Sequence, residues 1–233
     1  MANNYFDATG VLILDKVTPV ITALFGAFNL DENYPGNGTA YIARISESND
    51  PQWDDIREGL VVLADTLGKP FPMDQETTFE DCLRTLASHF QAEQDEALEH
   101  LIEHHSFEDS ADLAALFLIA GCFDDGHGLK AIKFEAAWYC SKPRLFEFGG
   151  QGAYISEEIL LFSGSSRAVD LGEELHAALL TGNLHEAADK LASDINNVLS
   201  GIADDAKRGV LREKLAHKLL EDNSSSGGNS ASE

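Results

Sequence analysis

The stretch Ile132-Lys-Phe-Glu-Ala-Ala-Trp-Tyr-Cys140 decides the fold class, because its apolar residues recur at every second position. Ile132, Phe134, Ala136, Trp138 and Cys140 alternate with Lys133, Glu135 and Tyr139. That is the period of a half-buried β-strand, whose successive side chains point to opposite faces. On either side the period is mostly helical. Thr18-Pro19 offers a cap and a first-turn proline, and Val17, Val20, Ile21, Leu24, Phe25 and Phe28 repeat around it at helical spacing. Asp50-Pro51 opens a second helix with Ile56, Leu60, Leu63 and Leu67 on one face, closed by Gly68 and Pro70. Thr78-Phe-Glu-Asp81 reads as a capping box ahead of Cys82, Leu83, Leu86 and Phe90. Residues 93–105 and 110–120 predict two more helices, the second apolar almost all round and so expected at the centre of the fold.

Further strands are expected at Val11–Leu14, Ala40–Ile45, Arg144–Phe148 and Ala153–Phe162. Asn33 to Gly38 reads as a turn, and Gly149-Gly-Gln-Gly152 as a hairpin connection. From Ser165 the chain returns to helices, marked by Leu171, Leu175 and Leu179, by Asn183 capping toward Glu186, and by Val210, Leu211 and Leu215. The expected fold is therefore α+β, mostly helical with a small antiparallel β-meander. It forms one domain over 1–221, with a soft boundary near 126, followed by a disordered tail at 222–233 of Ser, Gly and Asn.

Composition narrows the function. The chain has 233 residues, 44% of them hydrophobic, enough for a sizeable core. No apolar run is long enough to span a bilayer, and the first residues lack a basic segment followed by an apolar one. Cys82, Cys122 and Cys140 are widely spaced and odd in number, which fits reduced thiols and a cytoplasmic location. Against 40 Asp and Glu stand 16 Lys and Arg, a net charge of −24 that repels nucleic acid and anionic membranes. Between Arg84 and Lys130 there is no Lys or Arg, while Lys207, Arg208, Arg212, Lys214 and Lys218 crowd together near the other end. A solvated face that aids solubility accounts for such a surface, and so does a surface shaped for a basic protein partner. On the second reading the contact residues are Glu93, Asp95, Glu96, Glu99, Glu103, Glu108, Asp109 and Asp112.

Three motifs hold chemistry in principle. His100-Leu-Ile-Glu103-His104 follows the inverted zincin pattern: His100 and His104 share a helix face four residues apart, and Glu103 stands where a base would activate water. A third ligand is missing, Glu173 and Glu174 lying within an ordinary amphipathic helix. Gly164-Ser-Ser-Arg167 opens a helix and offers N–H groups and a cation to an anion, although capping by Ser165 or Ser166 explains the same residues. Asp124-Asp125-Gly126-His127-Gly128 has the composition of a tight turn. Between Trp138 and Gly150, Lys142, Arg144 and Phe146 surround a rigid Pro143, either as meander packing or as a recognition loop.

Tyr34-Pro-Gly-Asn-Gly38, Phe123-Asp-Asp-Gly-His-Gly128, Cys140-Ser-Lys-Pro-Arg-Leu145 and Glu147-Phe-Gly-Gly150 resemble uncharacterised accessory proteins of proteobacterial plasmids and integrative conjugative elements. The resemblance covers most of residues 5–220 and transfers no functional residue. It implies a mobile-element context, in which small acidic proteins of the anti-CRISPR and antirestriction type mimic nucleic acid. The expectation is a non-enzymatic acidic binding protein without cofactor, directed at a basic, nucleic-acid-binding surface of a host defence complex. The alternatives are a metal-dependent hydrolase at His100, Glu103 and His104, and a structural or regulatory subunit of an oligomer.

Overall fold

The computed structural model describes residues 3–72 and 77–225. Helices make up 48% of the chain and an antiparallel sheet 24%, an α+β fold. The strands are β1 (Asn4–Ile13), β2 (Asp31–Pro35), β3 (Thr39–Arg44), β4 (Ala131–Cys140), β5 (Phe148–Ser156) and β6 (Leu160–Gly164), in the order β2-β3-β1-β4-β5-β6. β1 and β4 pair along their whole length, Leu12 opposite Ile132, Gly10 opposite Phe134, Ala8 opposite Ala136 and Phe6 opposite Trp138. Those residues share one face. The period of two in β4 thus continues across the sheet, and strands from both sides of residue 126 join in it.

Helices α1 (Pro19–Phe25), α2 (Trp53–Thr66), α3 (Phe79–Phe90), α4 (Glu96–His104) and α5 (Leu113–Cys122) build the core with that face. Local chemistry sets their ends. Thr18 caps α1 by accepting from Ile21 N–H, and Thr78 and Asp81 form a reciprocal capping box on α3. α5 contributes buried Ala115, Leu116, Ile119 and Ala120, as a helix apolar on most sides should. Gly59 of α2 lies against the Ala23 backbone of α1, where a Cβ would collide, so glycine sets how closely these helices approach. Leu12, Ile42, Ile132, Phe25, Phe28 and Phe123 are almost completely buried. Each such side chain contributes about 1.5–3 kcal/mol of hydrophobic stabilisation.

The chain divides into two compact units. The first is Met1–Ser156 with Phe162–Ser166, and the second is Glu157–Leu161 with Arg167–Glu233. The second contains most of α6 (Ser166–Leu180), together with α7 (Leu184–Ser200) and α8 (Asp205–Ser225). The turn after α7 is clipped to the 157–161 segment by Leu160 N–H to Gly201 C=O (2.7 Å) and Ala203 N–H to Glu158 C=O (3.0 Å). Residue 126 lies inside the first unit.

Several local expectations are corrected. Gly149–Gly152 is not a connection but lies in the paired first half of β5, with Gly149 opposite Trp138 and Gly152 opposite Glu135. A Cβ on Gly149 would run into the Trp138 indole, so a bulky partner on the neighbouring strand demands glycine there. Arg144 to Glu147 belong to the β4–β5 connection, and only Phe148 is in a strand. Ala153–Phe162 is split between β5 and β6. β1 starts at Asn4, well before Val11, and β2 occupies part of the expected 33–38 turn. The expected tail is helical at 222–225, and 226–233 lie outside the described residues.

Candidate functional site

The acidic stretch falls on α4, on the N-terminus of α5 and on the loops around them. α4 buries Leu98 and Ile102 and presents Glu96, His100, Glu103 and His104 to solvent. The predicted contact carboxylates sort into two kinds. Asp95 is the N-cap of α4, accepting from Ala97 N–H (3.0 Å) and Leu98 N–H (2.9 Å), and Asp112 caps α5 by accepting from Ala114 N–H (2.7 Å). Glu99 takes a bidentate contact from Arg84, at 3.0 Å to each oxygen. These three therefore serve the fold, the caps at about 0.5–2 kcal/mol each and the exposed pair at about 1 kcal/mol or less. The capping signal was present in the sequence, Asp112 directly before the apolar run from Leu113 and Asp95 at the start of the amphipathic segment of α4. Glu93, Glu96, Glu103, Glu108 and Asp109 are exposed and form no ion pair among the described residues.

His100 and His104 stack face to face, with centroids 4.2 Å apart and planes 16° from parallel. His104 Nδ1 lies 2.9 Å from the His100 carbonyl oxygen, so that nitrogen carries its proton and donates. Only Nε2 of His104 is left to ligate, and tetrahedral zinc needs further donors converging on one point. Among the described residues no three His, Cys, Asp or Glu side chains are placed to hold a metal ion. Glu173 and Glu174 belong to the other unit.

The remaining motifs are engaged in structure. Arg167 makes a two-point contact with Asp194, Nε to Oδ1 at 2.7 Å and Nη2 to Oδ2 at 2.5 Å, and is not left for an anion. The Ser165 hydroxyl accepts from Gly150 N–H at 3.0 Å. In the 124–128 turn His127 is buried, its Nε2–H on Ala120 C=O (3.0 Å) and its Nδ1 accepting from Leu129 N–H (2.8 Å). Asp125 reaches back to accept from Val20 N–H in the first turn of α1 (3.1 Å). Burial pushes the Cys82 thiol up to about 11 and the Cys122 thiol to about 12, so neither is a nucleophile at neutral pH.

The β4–β5 connection presents Lys142, Arg144, Leu145 and Phe146 to solvent, with Phe146 81% exposed. Arg144 contacts Glu147 at 3.4 Å. The connection leads onto a feature that the sequence reading missed. Tyr5, Tyr34, Tyr41, Tyr139 and Tyr154, every tyrosine of the chain, lie on the sheet face away from the helices. Tyr5 stacks on Tyr139 at 5.2 Å, whose hydroxyl donates to Asp7, and Tyr34 meets Tyr41 edge-on at 5.6 Å. The Ser46 backbone N–H and the Tyr139 hydroxyl hold the Asp7 carboxyl below its usual range. An open cleft of about 660 Å³ lies at the same end of the sheet, lined by Phe6, Arg44, Glu47 and Trp138. Its one cation is engaged: Arg44 contacts Asp50 at 2.6 Å and sits 4.9 Å over the Phe6 ring.

No helix among the described residues is long and apolar enough to cross a membrane. No protein-family model, curated protein or solved structure matches the chain.

Proposed function

We propose that this chain is a non-enzymatic binding protein whose carboxylates over residues 93–112 occupy a basic, nucleic-acid-binding surface of a protein partner. The observation that carries this reading is the set Glu93, Glu96, Glu103, Glu108 and Asp109, exposed and without ion pairs among the described residues, in a stretch that has no Lys or Arg. Their caps and apolar stripes hold the helices in place without them, so the fold does not account for the charge. Glu96 and Glu103 stand about 10.5 Å apart along α4 at about 1.5 Å per residue, close to three duplex steps of about 3.4 Å. The mobile-element context that the resemblance implies suits a partner from a host defence complex.

The test is a triple variant, Glu96→Gln, Glu103→Gln and Glu108→Gln, used beside the wild type to capture partners from a host lysate at low and high salt. Glu99 is left in place because it pairs with Arg84. Rim charges contribute about 0.2–1 kcal/mol each, so the triple variant should bind about tenfold more weakly, chiefly through slower association. A captured partner held with unchanged affinity and unchanged salt dependence would reduce this surface to a solvated face.

A further inference from the structure

Among the described residues the second unit has little core of its own: its buried apolar residues are Ala178, Ala187 and Leu199, two of which have almost no side chain to bury. Its helices are nonetheless amphipathic. In α7, Leu184, Ala188, Leu191, Ile195 and Val198 follow the alternating four- and three-residue spacing of a coiled-coil seam. Along that seam Leu184 is 67%, Leu191 46% and Val198 40% exposed. α6 adds exposed Leu179 and Leu180, and α8 adds Val210, Leu211 and Leu220. Water is an unfavourable neighbour for this much aliphatic surface, and apolar faces of this extent on a helical body mark an interface.

Charge selects the occupant. On α8, Arg212, Lys214 and Lys218 form no ion pair among the described residues, whereas Lys207 and Arg208 are engaged by Asp204 and Asp205. On α6, Asp170 and Glu173 are exposed and form no ion pair among the described residues, while Glu174 pairs with Lys190 of α7 and Arg167 with Asp194 of α7. Among the described residues a single copy therefore offers Arg212, Lys214 and Lys218 against Glu213 as unpaired charges on α8, a net excess of cations, and unpaired carboxylates on α6. A two-fold pair satisfies both sets at once, since in an isologous interface each patch meets the complementary patch of the other chain. We propose that the second unit is a self-association module: the α7 seam packs against a second copy of the chain, and α8 of each copy lies along α6 of the other.

The experiment uses the full chain. Sedimentation equilibrium from about 1 to 100 µM should give twice the 25.3 kDa chain mass at the upper end, because dimer populations follow protomer concentration. Leu191→Asn should raise the dissociation constant by about tenfold or more, with Trp fluorescence unchanged because both tryptophans lie in the first unit. Two charge-reversed chains supply the sharper arm: Arg212→Glu with Lys218→Glu, and Asp170→Lys with Glu173→Lys. Each alone should dimerise at least tenfold more weakly. Mixed, they should restore the dimer as a heterodimer, since one contact is then charge-reversed and the other as in the wild type, both attractive, and restoration also shows that both chains fold. A wild-type mass of one chain across the whole range overturns the proposal. So does a dimer that none of these substitutions weakens, or a mixture that stays as weak as its components.

Discussion

The first unit holds every Phe, Tyr and Trp of the chain, whereas the second is helical and draws its apolar surface from Leu, Ile, Val and Ala alone. The aromatic unit closes on itself. Trp53 packs edge-on against Phe79 (5.0 Å) and Phe107 (5.1 Å), and Phe90 stacks on Phe123 at 5.3 Å. Large flat side chains fill the space between sheet and helices, and each removes a large apolar area from water. The aliphatic unit instead carries its apolar residues as exposed stripes along helices, a surface suited to being covered by something outside it. One region is stabilised by what it encloses, the other by what it meets.

Removing enclosed volume is the largest way to break that contrast. Trp53→Ala deletes an indole that contacts Phe79, His105 and Phe107, and should cost about 3–5 kcal/mol in urea unfolding followed by Trp138 fluorescence. Leu180→Ala, at a residue 75% exposed on α6, should change the unfolding free energy read from the 222 nm helical signal of the dilute, monomeric chain by less than about 0.5 kcal/mol. If the two substitutions proved comparable, the second unit would not be the body of little core described above.

A smaller effect sharpens the contrast by sign. Gly149→Ala puts a Cβ into the Trp138 ring and should destabilise by about 1–3 kcal/mol. Gly172→Ala lies inside α6, with nothing near the added methyl, and should stabilise the helical signal at 222 nm by about 0.4–1 kcal/mol. One substitution type, applied to an enclosed sheet and to an exposed helix, should then give opposite results. A stabilising Gly149→Ala would mean that the indole can move aside.

These glycines also show where the sequence was legible and where it was not. The alternation from Ile132 to Cys140 could be read because the two faces of β4 meet different surroundings, core on one side and solvent on the other. The helical spacing of Leu98, Leu101 and Ile102 places them on the inward side of α4 and leaves His100 and His104 exposed. The first half of β1 was hidden, because its core face carries small residues at Ala8 and Gly10 and its open face mixes Tyr5, Asp7 and Thr9. Gly149–Gly152 looked like a turn because the reason for glycine sits on the paired strand, in Trp138. The clustering of the tyrosines was equally invisible to local reading, since it depends on the register of β1 against β3 and β4. Among the candidate contact residues, charge alone did not separate Asp95 and Asp112, which cap helices, from Glu96 and Glu103, which do not. Only hydrogen-bond partners make that separation.

The smallest expected effect concerns acid. In the first unit Asp7 is held below its usual range by the Ser46 backbone N–H and the Tyr139 hydroxyl, and Asp15 by its contact with Lys130. In the second, Asp194 is lowered by Arg167 and Asp204 by the Lys207 backbone N–H. A carboxyl lowered by folding binds protons more readily in the unfolded chain. Its stabilisation is therefore fully present above the ordinary value of 3.8 and is lost as pH falls through the lower folded value. Asp15 and Asp204 are open to solvent and Asp7 and Asp194 are half-buried at the surface, so screening keeps each contribution slight. Asp7→Asn should flatten the acid limb below about pH 4 when unfolding is followed by Trp fluorescence, which reports the first unit alone. Asp194→Asn should leave that limb unchanged and flatten only the part of the 222 nm signal that melts without it. If Asp194→Asn shifted the fluorescence limb as much as Asp7→Asn, the two units would unfold as one, and the contrast between an enclosed body and an exposed one would have to be withdrawn.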